Sequence, residues 1–159
     1  MLKEGKSYID INIEVIPSYK IAYIRKTGPY GSDNVQIMEQ LKNWAKEKNL
    51  FNESSIILGI VQDNPQLTEP EDCRYDTCLV ISDEIEVNNK YINFGKTIGG
   101  KYCVFKISHT IDAMQKAWME IFPELLKRNY ELDNRRPLFE RYAIQVINKH
   151  YCEICVPIL

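Results

Sequence analysis

A chain of 159 residues has the usual size of one domain and is long enough to bury a real core. Its 45% hydrophobic and 26% charged residues exclude a disordered or low-complexity polymer, and a formal net charge of -2 excludes the basic stripe that neutralises nucleic-acid phosphates. The longest apolar runs, at 55–61 and 78–81, are too short for a bilayer span, and the stretch from Met1 to Lys6 lacks the apolar segment of an export signal. The expectation is therefore a cytoplasmic protein without nucleic-acid or membrane contact.

In chain order, Ile9, Ile11, Ile13 and Val15 alternate with Asp10, Asn12 and Glu14, the period of a strand with one wet face. Pro17 and Ser18 turn the chain into a second strand over 19–25, and the 27–33 stretch, rich in turn residues, supplies a polar cap for a helix. Val35, Met38, Leu41, Trp44 and Ala45 give that helix one apolar stripe running to Lys48. Strands follow at 56–62 and 74–81, which makes a β-α-β-β unit over about residues 8–82. The same order returns over about 91–159: a strand at 101–106 after Gly99 and Gly100, a helix from about Asp112, and strands at 138–146 and 151–157. Pro123 inside the second helix predicts a bend or a short final segment. Each helix carries one central tryptophan, Trp44 and Trp118, so an internal duplication is the economical reading. The fold class is α+β: two β-α-β-β units paired into a curved antiparallel sheet, both helices on one face, and a groove between the halves.

Little metal or cofactor chemistry is encoded. The five cysteines are odd in number and read as reduced thiols. Cys152 and Cys155 are spaced C-x-x-C, yet on a strand residues three apart point to opposite faces and do not chelate one zinc. His109 and His150 fall in different loops, which gives no support for a histidine-based triad, and Gly99-Gly100 lacks the strand-to-helix setting of a phosphate loop. No cofactor and no metal are expected.

Several stretches, in order, resemble the GyrI-like effector-binding domains, ligand-sensing modules also found fused to DNA-binding regions in AraC-type and other multidrug-responsive activators. They are the segments at 20–30 (Lys-Ile-Ala-Tyr-Ile-Arg-Lys-Thr-Gly-Pro-Tyr), 58–65, 73–78, 99–102, 139–142 (Phe-Glu-Arg-Tyr) and 153–158. With a first strand near residue 8 and a last one reaching the C-terminus, the resemblance is to a stand-alone member. The sequence Ser108-His-Thr-Ile111 departs from the Gly-Pro-Tyr turn that relatives often repeat here.

The resemblance implies a pocket with an acid, and Glu140 matches that position. On a strand Glu140 and Tyr142 share one face while Phe139 and Arg141 point the other way. A carboxylate beneath aromatic rings has a high desolvation cost and suits a cationic ligand with a flat apolar body; the alternative for Glu140 is a surface ion pair with Arg135, Arg136 or Arg141. Glu153 and Cys155 share a face of the last strand and are expected to face the same groove if that strand pairs with the Glu140 strand; the alternative for Glu153 is an exposed position opposite a lysine. By family position Tyr30, Tyr75, Tyr102 and Tyr142 complete the pocket, with ordinary packing as their alternative. Trp118 and Phe122, one helical turn apart, form either a stacking wall or plain core.

Three functions follow from the resemblance. The leading one is capture of amphipathic, cationic aromatic compounds, with no bond broken. A second is cofactor-free hydrolysis of strained cyclopropanoid toxins, with Glu140 activating water beside Tyr142. The third is action on a protein partner, either DNA gyrase or a separate regulator.

Overall fold

The computed structural model describes residues 8–30, 34–82 and 90–159. Eight strands form one sheet: β1 (Tyr8–Ile16), β2 (Lys20–Thr27), β3 (Ile56–Val61), β4 (Arg74–Ile81), β5 (Asn93–Lys96), β6 (Gly100–Ser108), β7 (Leu138–Ala143) and β8 (Tyr151–Pro157). Their spatial order is β1-β6-β8-β7-β3-β4-β2-β5, every neighbouring pair antiparallel. Two longer helices, α1 (Asn34–Glu47) and α2 (Ile111–Lys127), are accompanied by a single-turn α3 (Ile144–Ile147) between β7 and β8.

The duplication is visible in this order. β2-α1-β3-β4 and β6-α2-β7-β8 are equivalent units, and they meet where β3 pairs with β7, with Gly59 opposite Glu140. The strand before each unit does not stay with it. β1 pairs with β6 of the second unit, and β5 pairs with β2 of the first. These arms cross where the turn after β1 meets the loop after β5: Thr97 N–H donates to Tyr19 O at 2.8 Å, and Tyr19 N–H donates to Thr97 Oγ1 at 2.7 Å.

Alternation along the strands sorts the core into two faces. Under α2 lie Cys103, Phe105, Ile107, Cys152, Ile154 and Val156 against Ala117, Ile121 and Leu125. Under α1 lie Ala22, Ile57, Leu79 and Ile81 against Leu41, Trp44 and Ala45. Tyr142 packs against both groups, so it marks the seam between the helices. The opposite face carries a cluster made of strand residues, including Leu58, Ile60, Cys78, Tyr102, Val104, Phe139 and Cys155.

One strand went unanticipated and one expected strand needs correction. β5 was not anticipated, because Asn93–Lys96 is four residues long and contains a glycine. The strand expected over 138–146 stops at Ala143, and the chain turns into α3, where Ile144 N–H donates to Ser55 O at 3.0 Å instead of continuing the ladder. α2 contains Pro123 and ends soon after it at Lys127, the short final segment expected, with the ring on the exposed side while Ile121 and Leu125 are held in the core. At its other end, Thr110 in the divergent Ser-His-Thr-Ile stretch caps the helix, its Oγ1 accepting from Ala113 N–H at 3.1 Å. The cap proposed for α1 at 31–33 lies outside the described residues.

The five cysteines are free thiols, all buried, and Cys152 and Cys155 fall in clusters on opposite faces. Among the described residues no helix is long and apolar enough to cross a membrane.

Candidate functional site

Glu140 lies at the seam, on β7 where the two units meet, and is 9% exposed. Three donors converge on its carboxylate. Tyr75 from β4 donates its hydroxyl to Oε1 at 2.8 Å, and Tyr142, two residues along β7, donates to the same oxygen at 3.0 Å. From α2 the Trp118 indole N–H donates to Oε2 at 3.2 Å. Phenol and indole are neutral donors, and their convergence is the complement of an acceptor-only carboxylate. Burial first, and the charge of Glu140 next, push the Tyr75 and Tyr142 phenols well above the ordinary tyrosine range, which keeps both protons in place.

No ion pair among the described residues reaches this acid. Arg135 and Arg136 both bind Asp133, and Arg141 binds Glu14 and Glu153. The arginines named as surface partners for Glu140 are thus engaged elsewhere, and its carboxylate faces hydroxyls, an indole and aromatic rings.

Glycine makes this geometry accessible. Tyr75 is on β4 and Glu140 on β7, with β3 between them, so the phenol must cross β3 at Gly59. A Cβ built at Gly59 falls 1.9 Å from Tyr75 Oη and 3.0 Å from Glu140 Oε1. Any side chain there would occupy the place of the hydroxyl. Gly59 was not among the residues chosen from sequence, although an isolated glycine within an apolar strand is the signal of a close approach.

Two further residues adjoin the site. The His109 ring lies 5.6 Å from that of Tyr142, and the Cys152 thiol is pushed up to about 12, by burial first and by Glu140 second. Tyr30 belongs to an outer layer: its ring meets Tyr75 edge-on at 6.4 Å, its hydroxyl donates to Asp63 O at 2.9 Å, and burial pushes it up to about 12. Phe122, one turn beyond Trp118, is 40% exposed.

Glu153, Cys155 and Tyr102 are placed elsewhere. β8 does pair with β7, but the residue opposite Glu140 is Ile154, while Glu153 is opposite Arg141 and Cys155 opposite Phe139. Register therefore puts both on the face away from the helices, where Arg141 Nε donates to Glu153 Oε1 at 2.9 Å and Cys155 is fully buried. Tyr102 is in the same cluster, 1% exposed, with the Arg136 guanidinium 4.7 Å above its ring. The pairing named as the condition is present, but the expected shared face is not, because β7 and β8 align odd with odd positions and leave Ile154 beside Glu140.

The model of the GyrI-like small molecule binding domain matches residues 9–159. A putative transcriptional regulator derived from the SPbeta prophage of Bacillus subtilis, YosT, is 42% identical over 149 residues, covering 93% of this chain and 98% of its own. A DNA gyrase inhibitor of Cronobacter sakazakii is 27% identical over 136 residues, covering 84% and 85%. Among solved structures, the EcmrR C-terminal domain superposes with a TM-score of 0.75 at 14% identity over 94% of this chain and 97% of that one. SAV2435 bound to tetraphenylphosphonium superposes with a TM-score of 0.59 at 17% identity over 95% and 94%.

Proposed function

This chain belongs to the GyrI-like small-molecule-binding family, and on that premise we propose that it captures lipophilic cations with flat aromatic bodies, using Glu140 as the counter-charge. The observation that carries the reading is a buried carboxylate held by three neutral donors, Tyr75, Tyr142 and Trp118, with no cationic partner among the described residues. A cation placed there gains charge attraction in a desolvated setting and ring faces on which to stack. The likeness to a protein solved with tetraphenylphosphonium supports a lipophilic aromatic cation as the ligand.

At 9% exposure Glu140 is covered by its own donors, so a bulky ligand has to displace one of them. Trp118 is the one to move. Its bond is the longest of the three and its side chain is half-buried on α2, whereas Tyr75 is fixed under β3. The indole then swings from hydrogen-bond donor to stacking wall, and the freed Oε2 faces the cation. Because Glu140 and Tyr142 come from the second unit and Tyr75 from the first, the site needs both halves of one domain.

Isothermal titration with tetraphenylphosphonium tests this. Glu140→Gln keeps the shape and an acceptor oxygen for the two phenols while removing the charge and the acceptor that faces Trp118, and is expected to weaken binding by roughly 10- to 100-fold, the effect of about 1.4 to 2.8 kcal/mol. Neutral triphenylphosphine oxide is expected to bind both proteins alike. Equal affinity of the native chain and Glu140→Gln for the cation would sink the reading.

A further inference from the structure

A second recess lies on the other side of the sheet. A cavity of about 180 Å³ opens among β2, β3, β4 and the 95–98 segment, floored by Ile60, Tyr102 and Phe139. None of its lining belongs to the Glu140 site, yet it is one residue away on each shared strand: Ile60 follows Gly59, Asp76 follows Tyr75, and Phe139 precedes Glu140. Strand alternation therefore gives the two recesses opposite faces of the same three strands.

The chemistry of this recess is opposite as well. Asp76, 2% exposed in its wall, is already satisfied: Arg25 Nε donates to Oδ1 at 2.7 Å, Arg25 Nη2 to Oδ2 at 2.8 Å, and the Gln62 amide to Oδ2 at 2.9 Å. That network neutralises the one buried negative charge of the wall and fixes the guanidinium at the rim, with Nη1 outside the pair. Lys96, exposed on the same rim, makes no ion pair among the described residues. With Arg25 and Lys96 positive and Asp76 negative, the recess keeps one uncompensated positive charge above an apolar, aromatic floor.

We infer that this recess is a second ligand site, selective for a small aromatic monocarboxylate whose ring packs against the accessible side chains of Tyr23, Ile98 and Pro137 and whose carboxylate meets Lys96 and the rim of Arg25. At about 180 Å³ the recess is smaller than the pockets of roughly 300–1,000 Å³ that hold drug-sized ligands, which suits a one-ring ligand. The site stands independently of the reading given to Glu140, since it shares no lining residue with it.

Benzoate is the probe and benzyltrimethylammonium the charge-reversed control, each titrated by amide NMR and calorimetry into the full chain and into Lys96→Glu. Lys96 is exposed, so the variant is expected to melt at the native temperature. Saturable benzoate shifts centred on Gly95, Lys96, Thr97 and Gln62, weakened about tenfold in Lys96→Glu, are the expected result, with no comparable response to the ammonium compound. Absence of saturation up to about 10 mM, shifts centred instead on Trp118 and Tyr142, equal benzoate affinity in Lys96→Glu, or equally good binding of benzyltrimethylammonium at these residues would each overturn it. Failure of tetraphenylphosphonium to bind would leave this result untouched.

Discussion

At the scale of single residues, the least conspicuous one governs the acid site. Gly59 has no chemistry of its own, but its missing side chain is what lets the Tyr75 hydroxyl reach across β3. Gly59→Ala is therefore expected to push the phenol away, leave a buried carboxylate one donor short and destabilise the fold by about 2 to 3 kcal/mol in urea titration. Tyr75→Phe removes the donated hydrogen bond without the collision and should cost about 1 to 2 kcal/mol. The double variant should fall short of the sum of the two, because both changes remove the same bond. Additive losses would show that the glycine acts on something other than Tyr75.

Between elements, Arg141 carries the longest tie. Its guanidinium donates to Glu14 on β1 at 2.8 and 3.0 Å and to Glu153 on β8 at 2.9 and 3.1 Å. In a flat sheet β1 would lie three strand spacings from β7, roughly 14 Å, close to the full reach of the two extended side chains, so a sheet curled toward its helix-free face favours this contact. Arg141→Met strands two carboxylates, and the expected loss is about 2 to 3 kcal/mol, below that of a fully buried pair because the Glu14 side chain is 36% exposed and screened. The pH dependence has a definite sign. Hydrogen bonding to Arg141 holds Glu14 below the usual carboxylate range, and Arg74 does the same for Asp63. Both contributions are complete above the unfolded carboxylate range, about 4 to 5, and are lost as pH falls through the lower folded values. Urea midpoints measured from pH 7 down to 3 should decline over that lower range, and the gap between native and Arg141→Met should narrow there as the stranded acids take up protons.

For the whole molecule, exchange of the arms makes the halves interdependent. β1 completes the sheet of the second unit and β5 that of the first, and Tyr142 joins the two helix-face cores. Neither half retains its edge strand if the other unfolds. Trp44 reports on the first unit and Trp118 on the second, so the fluorescence of Trp118→Phe and Trp44→Phe, each with one remaining tryptophan, should follow circular dichroism through a single urea transition. Two separated transitions, or an independently folded fragment 91–159, would contradict this coupling.

Period and punctuation in the sequence determined most of the elements, including β4 and β8 to the residue, the duplicated order, and the shared face of Glu140 and Tyr142. These are local properties: alternation fixes a face, a polar cap starts a helix, and two residues apart on one strand stay together wherever that strand goes. Tertiary structure decided what depends on register and crossing. It put Tyr75 and Trp118 on the acid, sent Glu153, Cys155 and Tyr102 to the other face, and exchanged β1 and β5 between the halves. The physical reason is that a one-residue phase between paired strands reverses every side chain, and that phase is set by contacts far apart in the chain, which no local pattern records.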